Sequence, residues 1–303
     1  MDAQTLPNNP HRKFSPGRIW ALATSTLTQL VRMKVFYFLL IFIALLFVAG
    51  FLFISLSFEQ ELKLLKDIAF GAMSLFSIIF AIVGTAILIP RDVEDRTLYT
   101  ILSKPVPRLE YLIGKLFGVL LLVAISLIAM DLIFSAILYL RQNVILTEQI
   151  ALLESEGNAT PENIADVTNL VNAQGVNWDL QAAVFSIFLK AAVLASFSML
   201  LSTFATSTMF TIVVGFAIFF IGHGQSLARD YFLGGIEVEA IQKLITVTLV
   251  VLFPDLQLFN LVDGVVSGES VPVSLLLKIT GIATLYLVIY NLAAYLVFSE
   301  KEL

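Results

Sequence analysis

Ionisable side chains are scarce in this sequence, and they concentrate between residues 89 and 116. Only 14% of the 303 residues are charged, yet this stretch holds five Lys or Arg residues and four Asp or Glu residues. Leu98, Ile101 and Leu102 recur at helical spacing and predict one apolar face on a short helix that begins near Thr97. A Lys-Pro-Val-Pro run then ends that helix, because proline removes a donor and disfavours helical geometry before it. The stretch is typical of a cytoplasmic docking segment.

Two further ionisable residues, Asp131 and Lys190, fall inside long apolar runs. A charge within a membrane span is costly, so each marks a candidate functional site. Lys190 lies about ten residues into its predicted span from the outer side and Asp131 lies at a similar depth, which makes an intramembrane pair between them an interpretation of the sequence. Two structural alternatives stay open: the pair only locks two spans together, or the lysine extends outward to the interface.

Residues for covalent or metal chemistry are missing. There are no cysteines and only two histidines, His11 and His223, which excludes thiolate metal sites and a His-Glu-x-x-His zinc helix. Gly114-Lys115 lacks the other residues of a phosphate-binding loop, because Leu109 and Leu116 stand where Gly and Ser or Thr are required. The sequence therefore predicts no cofactor, no metal site and no enzyme of its own. No basic tract suits nucleic acid.

Composition places these residues in a membrane protein. Hydrophobic residues make up 58% of the chain, including 25 Phe, which is more apolar surface than a soluble all-helical core can bury. We predict an all-α polytopic protein in one domain, 1–303, with six transmembrane helices. The predicted spans are 35–57, 68–89, 112–138, 180–201, 204–222 and 274–298.

Three segments outside the spans carry structural signals. An apolar stripe predicts an interfacial helix at 15–34, with Ser15 as its N-cap. Residues 139–179 are predicted to form an acidic loop on the non-cytoplasmic side, in which a helix begins at the Thr160-Pro161-Glu162 run; its apolar face must be covered either by the rest of this protein or by a partner. Polar residues break the apolar run at 244–262, which predicts a re-entrant or interfacial hairpin.

The basic residues give an orientation. With both termini in the cytoplasm, eleven of the eighteen Lys and Arg residues lie on the cytoplasmic side. This asymmetry agrees with the positive-inside rule. A short charged turn, 58–67, would then join the first two spans on the outer side.

The charged stretch also carries a family resemblance. Within residues 92–118 an acidic stretch precedes Thr-Leu, Leu-Ser-Lys-Pro, a basic residue and Gly-Lys. This order resembles the segment between spans two and three of type-2 ATP-binding-cassette (ABC) exporter permeases of bacteria. Six spans, the surface helix, the Ser/Thr turn after span four and the Phe253 to Phe259 sequence are similar to that family too. The acidic outer loop is longer than the minimal family pattern.

The resemblance implies a permease subunit, in the inner (plasma) membrane, that exports a substrate with ATP bound and hydrolysed by a separate cytoplasmic ABC ATPase. A second permease, identical or homologous, would complete the transporter, and 139–179 would meet an extracytoplasmic partner. Residues 90–111 would be the coupling segment, with its helix seated in a cleft of the ATPase. The residues implied in coupling are Glu94, Asp95, Arg96, Thr97, Leu98, Ile101, Leu102, Ser103 and Arg108.

Two other classes of function remain open from the sequence. A self-sufficient secondary carrier or channel would use Asp131 and Lys190 for transport and would need no ATPase. A membrane scaffold would recruit an outer protein through its acidic loop and would not depend on ATP. The substrate is not specified by any of these patterns.

Overall fold

The computed structural model describes residues 14–32, 36–52, 58–94, 106–205, 207–233 and 253–300. These ranges are almost entirely helical, and no strand occurs within them. This agrees with the predicted all-α class and with the long apolar runs, whose backbone groups a helix satisfies internally.

Nine α-helices lie in the described ranges, and a 3₁₀ turn, Leu256–Phe259, precedes the eighth. Their bounds are α1 Pro16–Val31, α2 Phe36–Leu52, α3 Phe58–Glu94, α4 Arg108–Ser155, α5 Pro161–Ala173, α6 Trp178–Phe204, α7 Thr208–Leu233, α8 Val262–Val266 and α9 Val273–Glu300.

Five segments of the described chain are long and apolar enough to cross a membrane. They are Gln60–Asp92, Arg108–Ser155, Pro161–Phe204, Thr208–Gln225 and Val273–Glu300. The first predicted span, 35–57, is described only over the 17 residues of α2, at the lower limit for a crossing. The chain is therefore suited to a membrane, while the count of six spans stays a prediction.

The predicted charged turn at 58–67 is wrong, because these residues form the first turns of α3. Leu62 and Leu65 are buried there, so the apolar helical face of the span extends into this charged region. Glu61 and Lys66 are nearly buried as well, but each has a polar partner. Arg141 forms an ion pair with Glu61, and the Lys66 ammonium donates to Gln174 Oε1 at 2.7 Å. Because both charges have partners, the helix continues through residues 58–67.

The predicted acidic loop, 139–179, contains more helix than expected: the helix predicted after Thr160 is present as α5, but α4 also continues into the segment. Helix α4 continues to Ser155 and has 48 residues, a length of about 72 Å at ~1.5 Å per residue. A hydrocarbon core of ~30 Å is much shorter, so α4 is much longer than a membrane crossing requires. Helix α5 folds back against it and buries Val171.

Several local predictions are confirmed. Thr160 caps α5, since its side chain accepts a hydrogen bond from the Asn163 N–H. Pro16 opens α1, although the Ser15 side chain makes no capping hydrogen bond. The turn between α6 and α7 falls at the predicted Ser/Thr-rich sequence, with α6 ending at Phe204 and α7 beginning at Thr208.

Residues 244–252 of the predicted hairpin, 244–262, lie outside the described residues, and what is described begins at Phe253. The 3₁₀ turn and the five-residue α8 follow, and Leu256 and Phe259 are buried against the bundle. Gln225 Nε2 donates to the Phe253 carbonyl at 2.9 Å. This irregular backbone is therefore held by protein, and the hairpin as a whole stays a prediction.

Helix α6 lies at the centre of the bundle. It packs most extensively against α3 and α9, and small residues line much of its buried surface. Helix α1 instead packs against the first turns of α4. The ends of α1, α3, α4 and α9 consequently meet at one end of the molecule.

Candidate functional site

Most of the predicted coupling residues, Asp95 to Ser103, lie outside the described residues. The structure describes both ends of that stretch: α3 ends at Glu94, and α4 begins at Arg108. A set of contacts fixes these two ends and forms the candidate site. We call it the base cluster, and its members are Asp92, Arg108, Glu110, Tyr111, Lys115 and Phe298.

A buried ion pair joins the end of α3 to the start of α4. The Lys115 ammonium lies 2.7 Å from Asp92 Oδ2, and the two side chains are only 6% and 7% exposed. The Tyr111 hydroxyl donates to the same carboxylate oxygen at 2.6 Å, and Lys115 Nζ lies 5.7 Å from the centre of the Tyr111 ring. Buried charges need partners of this kind, so the pair fixes α3 relative to α4.

Arg108 joins the start of α4 to the last turn of α9. Its Nη1 donates to the Phe298 carbonyl at 2.8 Å and to the Ser299 carbonyl at 2.6 Å. The guanidinium carbon also lies 5.8 Å from the centre of the Phe298 ring, and that ring stacks on Tyr111 at 5.9 Å with an interplanar angle of 14°. Arg108 thus satisfies carbonyl groups at the end of α9.

Glu110 joins α4 to α1. The Arg18 Nε and Nη2 atoms donate to its two carboxylate oxygens at 2.5 and 2.7 Å, and the Ser15 backbone N–H donates to Oε1 at 3.0 Å. The hydrogen bonds to Glu110 raise the pKa of the Arg18 guanidinium above its ordinary value. Glu110 is almost fully buried, so it holds the first turn of α1 in place.

Two glycines let α1 approach α4 closely. A side chain at Gly114 would meet Leu22, and one at Gly118 would meet Thr26 and the Ala23 carbonyl. The partners Arg18 with Glu110, Leu22 with Gly114 and Thr26 with Gly118 are all 92 positions apart, so the two helices run side by side for about two turns. This is a small-xxx-small contact. The predicted interfacial helix therefore packs lengthwise on α4.

The sequence interpretation missed the base cluster as a connected set. The members of the cluster on α4 were visible as residues near a span, but their hydrogen-bond partners lie between 19 and 191 positions away. The Gly114-x-x-x-Gly118 pattern was the one signal that could have predicted a close helix contact. It identifies a packing face without naming the helix that covers it.

The structure does not bring Asp131 and Lys190 together. Gln181 Nε2 donates to Asp131 Oδ1 at 3.3 Å, and Asp131 is partly exposed. Lys190 is 4% exposed, and the carboxylate that attracts it electrostatically is Asp263, within α8. Within the described ranges no ion pair or hydrogen bond joins Asp131 to Lys190.

At the opposite end of the bundle, side-chain contacts hold the segment 139–179 against its neighbours. Arg141, the single basic residue of 139–179, is paired with Glu61. Asp179 Oδ1 accepts a hydrogen bond from the Val271 N–H at 2.8 Å, and Gln142 donates to Asn172 at 2.7 Å. The acids nearer the tip, Glu154 and Glu162, are exposed.

The base cluster contains no nucleophile next to a base, and the described part of the chain shows no group of three or more metal-ligating residues. Its groups instead connect four helix ends through charge, hydrogen bonds and ring contacts. Such an arrangement can hold and move helices together. No protein-family model matches this chain, and no curated protein matches it in sequence.

Proposed function

We propose that this chain is the membrane-spanning permease subunit of an ABC exporter, which moves a substrate across the membrane with ATP hydrolysed by a separate cytoplasmic subunit. The observation that supports this best is the base cluster. It binds together the helix ends on both sides of the charged stretch that resembles a coupling segment. A force applied to that stretch would reach α3, α4 and α9 through a buried ion pair and hydrogen bonds.

The partners follow from the same proposal. The ATPase would bind residues 90–111, with Glu94, Asp95 and Arg96 as polar contacts and the apolar face of the predicted helix in its cleft. A second permease would complete the transporter in the inner membrane, with both termini in the cytoplasm. The outer helical region would lie on the other side, where its exposed acids, including Glu154 and Glu162, face an extracytoplasmic partner.

The test is co-purification and ATP hydrolysis with the ABC ATPase encoded nearest to this gene. We expect the double substitution Asp95→Lys and Arg96→Glu to weaken co-purification roughly tenfold or more, because reversed charges at an interface repel the groups they once attracted. Stimulation of ATP hydrolysis by the permease should be lost with it.

The matched control reverses charge at the opposite end. Glu154→Lys and Glu162→Lys alter two exposed acids of the outer region, so they should leave binding and hydrolysis unchanged. A wild-type chain that is folded in membranes yet neither binds the ATPase nor alters its hydrolysis rate would contradict the proposed function.

A further inference from the structure

We infer that Arg108 is a positioning residue that makes the cytoplasmic end of α9 follow the start of α4, and that it is not a contact to the ATPase. The mechanical link stands on the described contacts alone. Its role in transport rests on the proposed function. This changes the part that sequence resemblance implies for Arg108.

Arg108 binds backbone carbonyl groups at the end of a helix. The last four carbonyl groups of a helix have no partner within it, and they carry partial negative charge. Arg108 donates to two carbonyls in this turn, those of Phe298 and Ser299. A guanidinium offers several donors in one plane, so it can hold both carbonyls at once.

A ring contact accompanies these hydrogen bonds. The Phe298 side chain is 1% exposed, and it touches both the Arg108 guanidinium and the Tyr111 ring. Arg108 and Tyr111 are three residues apart on α4, so they lie on one face of that helix. Phe298 is therefore held on one side by a cation and on another by a stacked ring.

This contact lies in the last turn of α9. That helix packs mainly along α6, and its contacts with α4 are less extensive. Outward-facing residues along α9, such as Leu277, Leu285 and Leu296, are exposed. The junction at Phe298 is consequently a localised attachment of the end of α9 to α4, and Arg108 supplies its polar part.

Tyr111 connects the junction to α3. Tyr111 stacks on Phe298 with its ring while its hydroxyl donates to Asp92. A displacement of the α3 end thus reaches Phe298 through one side chain, and Arg108 adds a second connection from the first residue of α4. A guanidinium engaged by α9 in this way is suited to transmitting motion within the chain.

The experiment uses the full-length chain in lipid nanodiscs and measures backbone hydrogen exchange by mass spectrometry. Arg108→Gln should speed exchange in the last turn of α9 by about fivefold or more, because it removes hydrogen bonds that each contribute a factor of a few. Arg108→Lys keeps a charge near the helix end and should give a smaller change. Lys278→Gln, an exposed position on the same helix, should give none. Unchanged exchange in Arg108→Gln would overturn the inference.

A second arm separates positioning from partner contact. With the ABC ATPase, Arg108→Gln should co-purify as wild type does while its stimulation of ATP hydrolysis falls several-fold. Loss of co-purification in Arg108→Gln, with wild type still binding, would overturn this inference and leave the proposed function intact. A wild-type chain that binds no ATPase would contradict the proposed function, and the exchange measurement would still decide whether Arg108 holds α9.

Discussion

Lys115→Met is expected to lower the free energy of unfolding of this chain by about 3 kcal/mol, since removing one partner of a buried ion pair leaves the other charge without compensation. Lys115 and Asp92 are both nearly excluded from solvent, and they lie 2.7 Å apart. Methionine has a similar length and is apolar, so the substitution removes charge with little change in volume. The Tyr111 hydroxyl that donates to the same carboxylate is uncharged and does not replace the positive charge of the ammonium.

The measurement is denaturant unfolding in mixed micelles, followed by fluorescence of the two tryptophans. The matched control is the double substitution Lys115→Met with Asp92→Asn, in which neither charge remains. Replacing both members of a buried pair is often close to neutral, so the double variant should recover most of the lost stability. Equal destabilisation in the single and double variants would show that packing, and not charge pairing, stabilises this junction.

The prediction from sequence succeeded where the signal lies within one continuous stretch of the chain. Helix α6 matches the predicted span 180–201 within a few residues, and α9 matches 274–298 equally closely. Predominantly apolar runs of this length leave a membrane helix as the favoured structure, even with one lysine in each. The Thr160 cap was equally predictable, because its donor lies three residues away.

The prediction failed where charges are paired across long distances. Glu61 and Lys66 suggested a solvent-exposed turn, but Arg141 and Gln174 neutralise or satisfy them from distant helices. Acidic residues after Tyr139 suggested a loop in the same way, although α4 continues through them. Charge alone marks where a helix leaves the apolar layer, and it does not mark where the helix ends.

The candidate site was predictable in location but not in structure. The charged stretch near residues 90–111 indicated at which end of the molecule the candidate site lies. The resemblance supplied roles for its residues. The contacts that give Arg108 a partner within the chain depend on α9, which is 190 positions away. Likewise, equal depth suggested pairing of Asp131 and Lys190, but the hydrogen-bond partner of Asp131 is Gln181.

Gly118→Ala is expected to lower the free energy of unfolding by about 2 kcal/mol, within the range seen when extra atoms are forced into a packed contact. The added Cβ would lie 2.6 Å from the Thr26 Cβ and 2.7 Å from the Ala23 carbonyl oxygen. One of these neighbours is backbone, so a side-chain rotation cannot relieve the clash. Helix α1 must move away from α4.

The matched controls are Gly71→Ala on α3 and Gly281→Ala on α9, where nothing lies within 4 Å of the added atom. Alanine is favoured over glycine inside a helix by roughly 1 kcal/mol, so these variants should be as stable as wild type or more so. The sign of the effect therefore separates close approach from helix propensity. Destabilisation of all three variants to the same extent would contradict a specific contact between α1 and α4.

The same variant reports whether α1 is part of the base cluster. Moving α1 away from Gly118 also strains the hydrogen bonds from Arg18 to Glu110, which lie two turns earlier on both helices. It further alters the contact of Trp20 with Phe117, whose ring centres are 6.1 Å apart. Tryptophan emission in folded Gly118→Ala should therefore shift relative to wild type. An unchanged emission spectrum together with lost stability would locate the strain inside α4. Helix α1 would then not be fixed to the base cluster.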